Sequence, residues 1–166
     1  MLFEFVRGIL QPMNTNGAQI HLLLNHFPVV GFPIVLFALL WGLLRHQNQV
    51  FLFGAYLTIL VWATTLASYL TGEDAEDVLK ELPSFNSKQL IHTHEDTALW
   101  AMILSSVLAV VALLMLPGIV KLLPQLQNPK FQKSLRWALV VGVVAVSGIL
   151  ALAAHQGGLI VHTEIR

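Results

Sequence analysis

Histidine is the residue in this chain best equipped for chemistry: there are seven, and there is no cysteine. Without thiols there is no disulfide, thiolate metal site, Cys-ligated iron–sulfur cluster or covalent c-type haem. Imidazole alone suits haem iron, copper, zinc or non-haem iron. The stretch Ile91–Ser105, reading IHTHEDTALWAMILS, sets His92, His94, Glu95 and Asp96 directly before a long apolar run. Helical spacing from His94 leads to Ala98, Ala101 and Ser105, a face made only of small side chains. Counting back from His155 gives Ala151, Gly148 and Ala145, the same arrangement at the end of another apolar run. Such a stripe leaves room for a flat, bulky group or for a very close neighbouring helix.

The elements that must position these residues follow from composition. Of 166 residues, 56% are apolar and 11% charged, against about 25% charged in a soluble domain. The chain therefore reads as an integral membrane protein, and its net charge of zero leaves no nucleic-acid footprint. Four apolar segments, at about 27–44, 51–71, 97–116 and 135–155, have no acidic side chain between their ends, and Arg136, at the edge of the fourth, is their one Lys or Arg. Each approaches the ~20 residues needed to cross ~30 Å of hydrocarbon. The expected fold is all-α: an integral membrane antiparallel four-helix bundle with short interfacial helices, one domain over residues 1–166.

The connections fill in the rest. Residues 1–12 form a short amphipathic piece ended by Pro12, and Asn14–Gly17 reads as a turn. The N-terminus lacks a basic region followed by an apolar core and cleavage site, so no signal peptide is expected. Residues 45–49 make a tight hairpin turn. The 72–96 connection carries an amphipathic segment in which Ala75, Val78, Leu79 and Leu82 share a face, and residues 117–134 return the chain past Pro117, Pro124 and Pro129. Gly157-Gly158 reads as a helix C-cap, with Leu159–His162 folding back over the bundle end.

An even number of spans puts both termini on one side, together with the 72–96 loop. All nine acids fall on that side, whereas Arg45, Lys121, Lys130, Lys133 and Arg136 fall on the other. Basic loops without acids are expected in the cytoplasm. That makes the protein a multi-pass membrane chain with extracytoplasmic termini.

Six of the seven histidines then share the outer face: His21, His26, His92, His94, His155 and His162, with His46 alone opposite. His26, His94 and His155 are expected at one depth, and His21, His92 and His162 nearer the solvent. Ionisable groups at membrane depth are costly and tend to be functional. One or two b-type haems need axial histidines, an apolar slot and a polar rim. His26, His94 and His155 are the first axial candidates, the stripes Ala98, Ala101, Gly148 and Ala151 the walls, and Lys80, Lys88, Arg7 or Arg166 the propionate partners. Trp41, Trp62, Trp100, Trp137 and Phe27 could also line the slot, though Trp at span ends also anchors at interfaces. The alternative is a non-haem iron, copper or zinc site on the same histidines plus Glu95, Glu73, Glu76 or Asp77. The acids also serve a helix N-terminus or steer a basic electron carrier. A third reading is a membrane anchor in which histidines only cap helix ends. No nucleophile constellation or phosphate loop is present.

The pieces IHLLLNHFPVV at 20–30, Thr71-Gly72, the histidine pair before the third span, and AAHQGGLIVH at 153–162 resemble an uncharacterised family of small four-helix bacterial membrane proteins, a domain of unknown function. H-x4-H-F-P at 21–28 and G-G-L-x-V-H at 157–162 are its most specific parts. The resemblance implies the four-helix architecture and puts His21, His26, His94 and His162 in the family pattern. It also implies a link to cytochrome c-type or other redox domains. The sequence thus points to a small membrane b-type cytochrome passing electrons between quinone or a membrane partner and an extracytoplasmic carrier. It would work as a homo-oligomer or as a subunit of a larger complex.

Overall fold

The computed structural model describes residues 17–81 and 88–161. The expectations for residues 1–12, Leu82, His162 and Arg166 lie outside the described residues. The helices are α1 (Gly17–Leu44), α2 (Asn48–Leu70), α3 (Gly72–Lys80), α4 (Lys88–Leu113), α5 (Pro117–Leu122) and α6 (Pro129–Val161), with a 3-10 turn at Pro124–Gln127. Among the described residues there is no strand. Four helical stretches, Gly17–Leu44, Asn48–Lys80, Lys88–Leu113 and Pro129–Ile160, are long and apolar enough to cross a membrane. The protein is an all-α, multi-pass bundle.

α1 packs against α2 and α6, and α4 packs against α2 and α6. The first and third spans therefore sit across the bundle diagonal. The core runs through Phe32, Val35 and Leu39 of α1, Phe51 and Ala55 of α2, Ala101, Leu108 and Ala112 of α4, and Leu139, Val143 and Val146 of α6. Leu23, Phe37, Leu60, Trp100 and Val141 are exposed. In a bilayer such side chains face acyl chains, as apolar as themselves, and interhelical attraction comes from close packing instead. Gly42 illustrates this: a Cβ there would overlap the backbone of Phe51 in α2.

The α1–α2 hairpin closes as the sequence predicts, and His46 is its key. This residue has φ 53°, the left-handed conformation that ends a helix. The Gln47 N–H donates to the Gly42 carbonyl at 2.8 Å and the His46 N–H to the Leu43 carbonyl at 3.4 Å, closing orphan carbonyls of the last turn.

The helices extend beyond the apolar runs. α1 begins at Gly17, where a turn was expected, so His21 and His26 both lie within the helix. α4 starts at Lys88, so His92 and His94 are helical as well. α6 begins at Pro129 because Asn128 caps it, its Oδ1 accepting from the Lys130 and Phe131 N–H groups at 2.9 and 3.4 Å. At its other end α6 runs unbroken through Gly157 and Gly158 to Val161. The expected C-cap is corrected: no described glycine has positive φ, and the chain does not fold back before Val161. Two consecutive glycines disfavour helix intrinsically, but here they continue an already formed 33-residue helix, for which propagation is cheap.

Candidate histidine site

The structure brings together His21 and His94. Their ring centres lie 6.5 Å apart with planes at 85°, one ring from each of the two diagonal spans. Both side chains are partly buried.

Each ring is held by a carbonyl of a neighbouring helix. His21 Nδ1 donates to the Ser68 carbonyl at 3.0 Å and lies 3.3 Å from Thr71 Oγ1. Thr71 occupies the single-residue break between α2 and α3, and its hydroxyl donates to the same Ser68 carbonyl at 2.9 Å. His94 Nδ1 donates to the Ala153 carbonyl of α6 at 2.9 Å. Carbonyl oxygens only accept, so each ring carries a proton on Nδ1, and in the neutral ring Nε2 is the lone-pair donor. Metal-ligating histidines are oriented in this way.

Two glycines lie close against the rings. A Cβ at Gly157 would stand 3.4 Å from His94 Cε1, and one at Gly72 would stand 3.9 Å from His21 Cε1. Gly17 lets the start of α1 press against Asp74 of α3, since a Cβ there would overlap that residue. This contact sets α1 beside the Thr71–Gly72 junction that holds His21. Gln156, between the two α6 residues that meet His94, has a buried side-chain oxygen without a hydrogen-bond partner.

The other candidates lie elsewhere. His26 is exposed on the outer side of α1, with Nδ1 bonded to the Leu22 carbonyl one turn back. His92 is exposed and pairs with Glu95 at 3.4 Å. His155 is exposed on α6. Among the described residues, no three histidine, aspartate or glutamate side chains converge as a metal-binding group.

The two small-residue stripes also part company. Ala101 and Ser105 are buried and Ala98 is half-buried, so the α4 stripe meets the bundle interior. Gly148 and Ala151 are exposed with His155, and nothing lies within 4 Å of a Cβ at Gly148. Of the aromatic candidates, Trp62 donates from Nε1 to Ser106 Oγ at 2.9 Å. Phe27, Trp41, Trp100 and Trp137 are exposed. Lys80 is engaged by Glu76 and Asp77 at 3.1 and 3.3 Å.

Reading the sequence alone missed Ser68, Thr71, Gly157 and Gln156 as part of this site. Thr71-Gly72 and His155-Gln156-Gly157 lie in polar or small-residue breaks at the ends of apolar runs, and that was the available signal. Comparison with family models, characterised proteins and solved structures gave no match, so the residues alone carry the functional argument.

Proposed function

We propose that the protein is a membrane electron-transfer subunit in which His21 and His94 are the axial ligands of a b-type haem. The observation that carries this reading is the paired, carbonyl-anchored imidazoles on diagonal spans, 6.5 Å apart between ring centres. Ligand number supports haem. Zinc and related ions take three or four protein ligands, whereas haem brings its own equatorial nitrogens and asks the protein for one or two. The donor set fits haem better than a bare ion.

Bound haem iron would store and release one electron at this end of the bundle. The residues of the chain do the rest. The Ser68 and Ala153 carbonyls would fix the orientation of the rings. The apolar core below limits water, and burial with nearby charge tunes the potential. The exposed acids of α3, Glu73, Asp74 and Asp77, offer a surface that steers a basic carrier such as a c-type cytochrome. The basic residues at the opposite end favour placing that end in the cytoplasm, which leaves the histidine end outside the bacterial inner membrane. A homo-oligomer or a larger complex suits so small a chain.

The test is a spectrum. Protein purified from haem-replete cells is expected to show a Soret band that shifts on reduction, with one haem per chain by pyridine haemochrome assay. A colourless preparation holding stoichiometric copper, zinc or non-porphyrin iron would replace haem with the metal reading. A preparation with neither would leave the histidines as helix-end anchors.

A further inference from the structure

The outer side of α1 carries a shallow groove of about 400 Å³ lined by Leu23, His26, Phe27, Val30, Gly31 and Ile34. That volume lies within the range of small-molecule sites. Five of its lining residues are apolar, and His26 is the one polar group. Because His26 Nδ1 donates to the Leu22 carbonyl, Nε2 is left as an acceptor on a surface that faces lipid. An ionisable side chain there is costly without a role. The ligand that matches is soluble in acyl chains and presents a hydroxyl to be accepted.

We infer that this groove binds a membrane quinol, with one ring hydroxyl donating to His26 Nε2. The inference rests on the haem reading for its electron acceptor. His26 lies five residues from His21, about 7.5 Å along the helix and about 140° around it, so the groove and the paired imidazoles stand back to back on α1. Oxidation of the quinol breaks two O–H bonds. His26 Nε2 would take one proton and interfacial water the other, and the two electrons would leave one at a time, the haem held by His21 and His94 passing the first to its carrier before the second arrives, giving the quinone.

The experiment uses full-length protein in phosphatidylcholine nanodiscs, with decyl-ubiquinol as reductant and decyl-ubiquinone as binding probe. Two variants attack the groove differently: His26→Ala removes the acceptor, and Val30→Trp fills the cleft from an exposed position. Both are expected to slow haem reduction by the quinol at least tenfold and to weaken equilibrium binding of labelled quinone at least tenfold. Dithionite should still give each variant the wild-type reduced spectrum. Unchanged quinol rates and unchanged quinone binding in both variants would overturn the inference. Wild-type protein without a haem spectrum brings down the parent reading alone. The binding comparison then decides the groove by itself, and equal quinone uptake by wild type and both variants, as for acyl chains partitioning without preference, would end it.

Discussion

Helices α4 and α6 carry the same pattern, a histidine heading a line of small residues, yet the bundle uses the two lines in opposite senses. On α4 the line turns inward: Ala101 and Ser105 are buried, and His94 reaches a carbonyl of α6. On α6 the line turns outward: Gly148, Ala151 and His155 are exposed, while Leu139, Val143, Val146, Leu150 and Ala153 pack inside. Small residues thus mark a close contact only where a partner helix meets them. The contribution of α6 to the histidine site comes from its other face, through the Ala153 carbonyl and the close approach of Gly157 to His94.

The sharpest way to break this contrast is to remove imidazoles one at a time. His21→Ala and His94→Ala are each expected to abolish the reduced haem spectrum, whereas His155→Ala should leave its intensity and position unchanged. Loss of the spectrum in His155→Ala alone would reverse the assignment of faces. Next in size is a packing test. Ala101→Leu forces a larger side chain into a filled interior and is expected to destabilise by about 1–3 kcal/mol, while Ala151→Leu should stay within about 0.5 kcal/mol, both measured by thermal unfolding in detergent.

The glycine pair of α6 sharpens the comparison further. Gly157→Val brings branched carbon against His94 and should lower haem occupancy several-fold in a titration with hemin. Gly158→Val, with nothing within 4 Å of its Cβ, should titrate like wild type. The smallest expected effect is that of Thr71→Val. It removes a 3.3 Å contact to His21 but leaves the Ser68 carbonyl in place. Haem affinity should fall by less than in Gly157→Val, because the carbonyl that orients the ring remains.

The spans were legible because a charge-free apolar run of bilayer length has few other uses. Their ends were not. His21, His92 and Gly157 all lie in helices that extend past the apolar runs, since neither polarity nor glycine stops a helix that neighbouring elements support. His46 was set apart correctly at the opposite end, but its role in ending α1 became visible only from its backbone conformation. Of the site, His94 was legible as the head of an inward stripe. His21 was placed nearer the solvent than His26, yet His21 is the ring that the bundle turns inward.

What the sequence determined by itself is the number of spans, the hairpin and the gathering of the acids at one end, because these depend on composition along the chain. What only the tertiary structure decided is which side of each helix faces its neighbours. Helices such as α1 and α2 are apolar nearly all round, and in lipid an outward leucine costs no more than an inward one. Hydrophobic patterning therefore carries no azimuth. Helix contacts, such as Gly17 on Asp74 and Gly42 on Phe51, turn His21 toward His94 and leave His26 facing lipid.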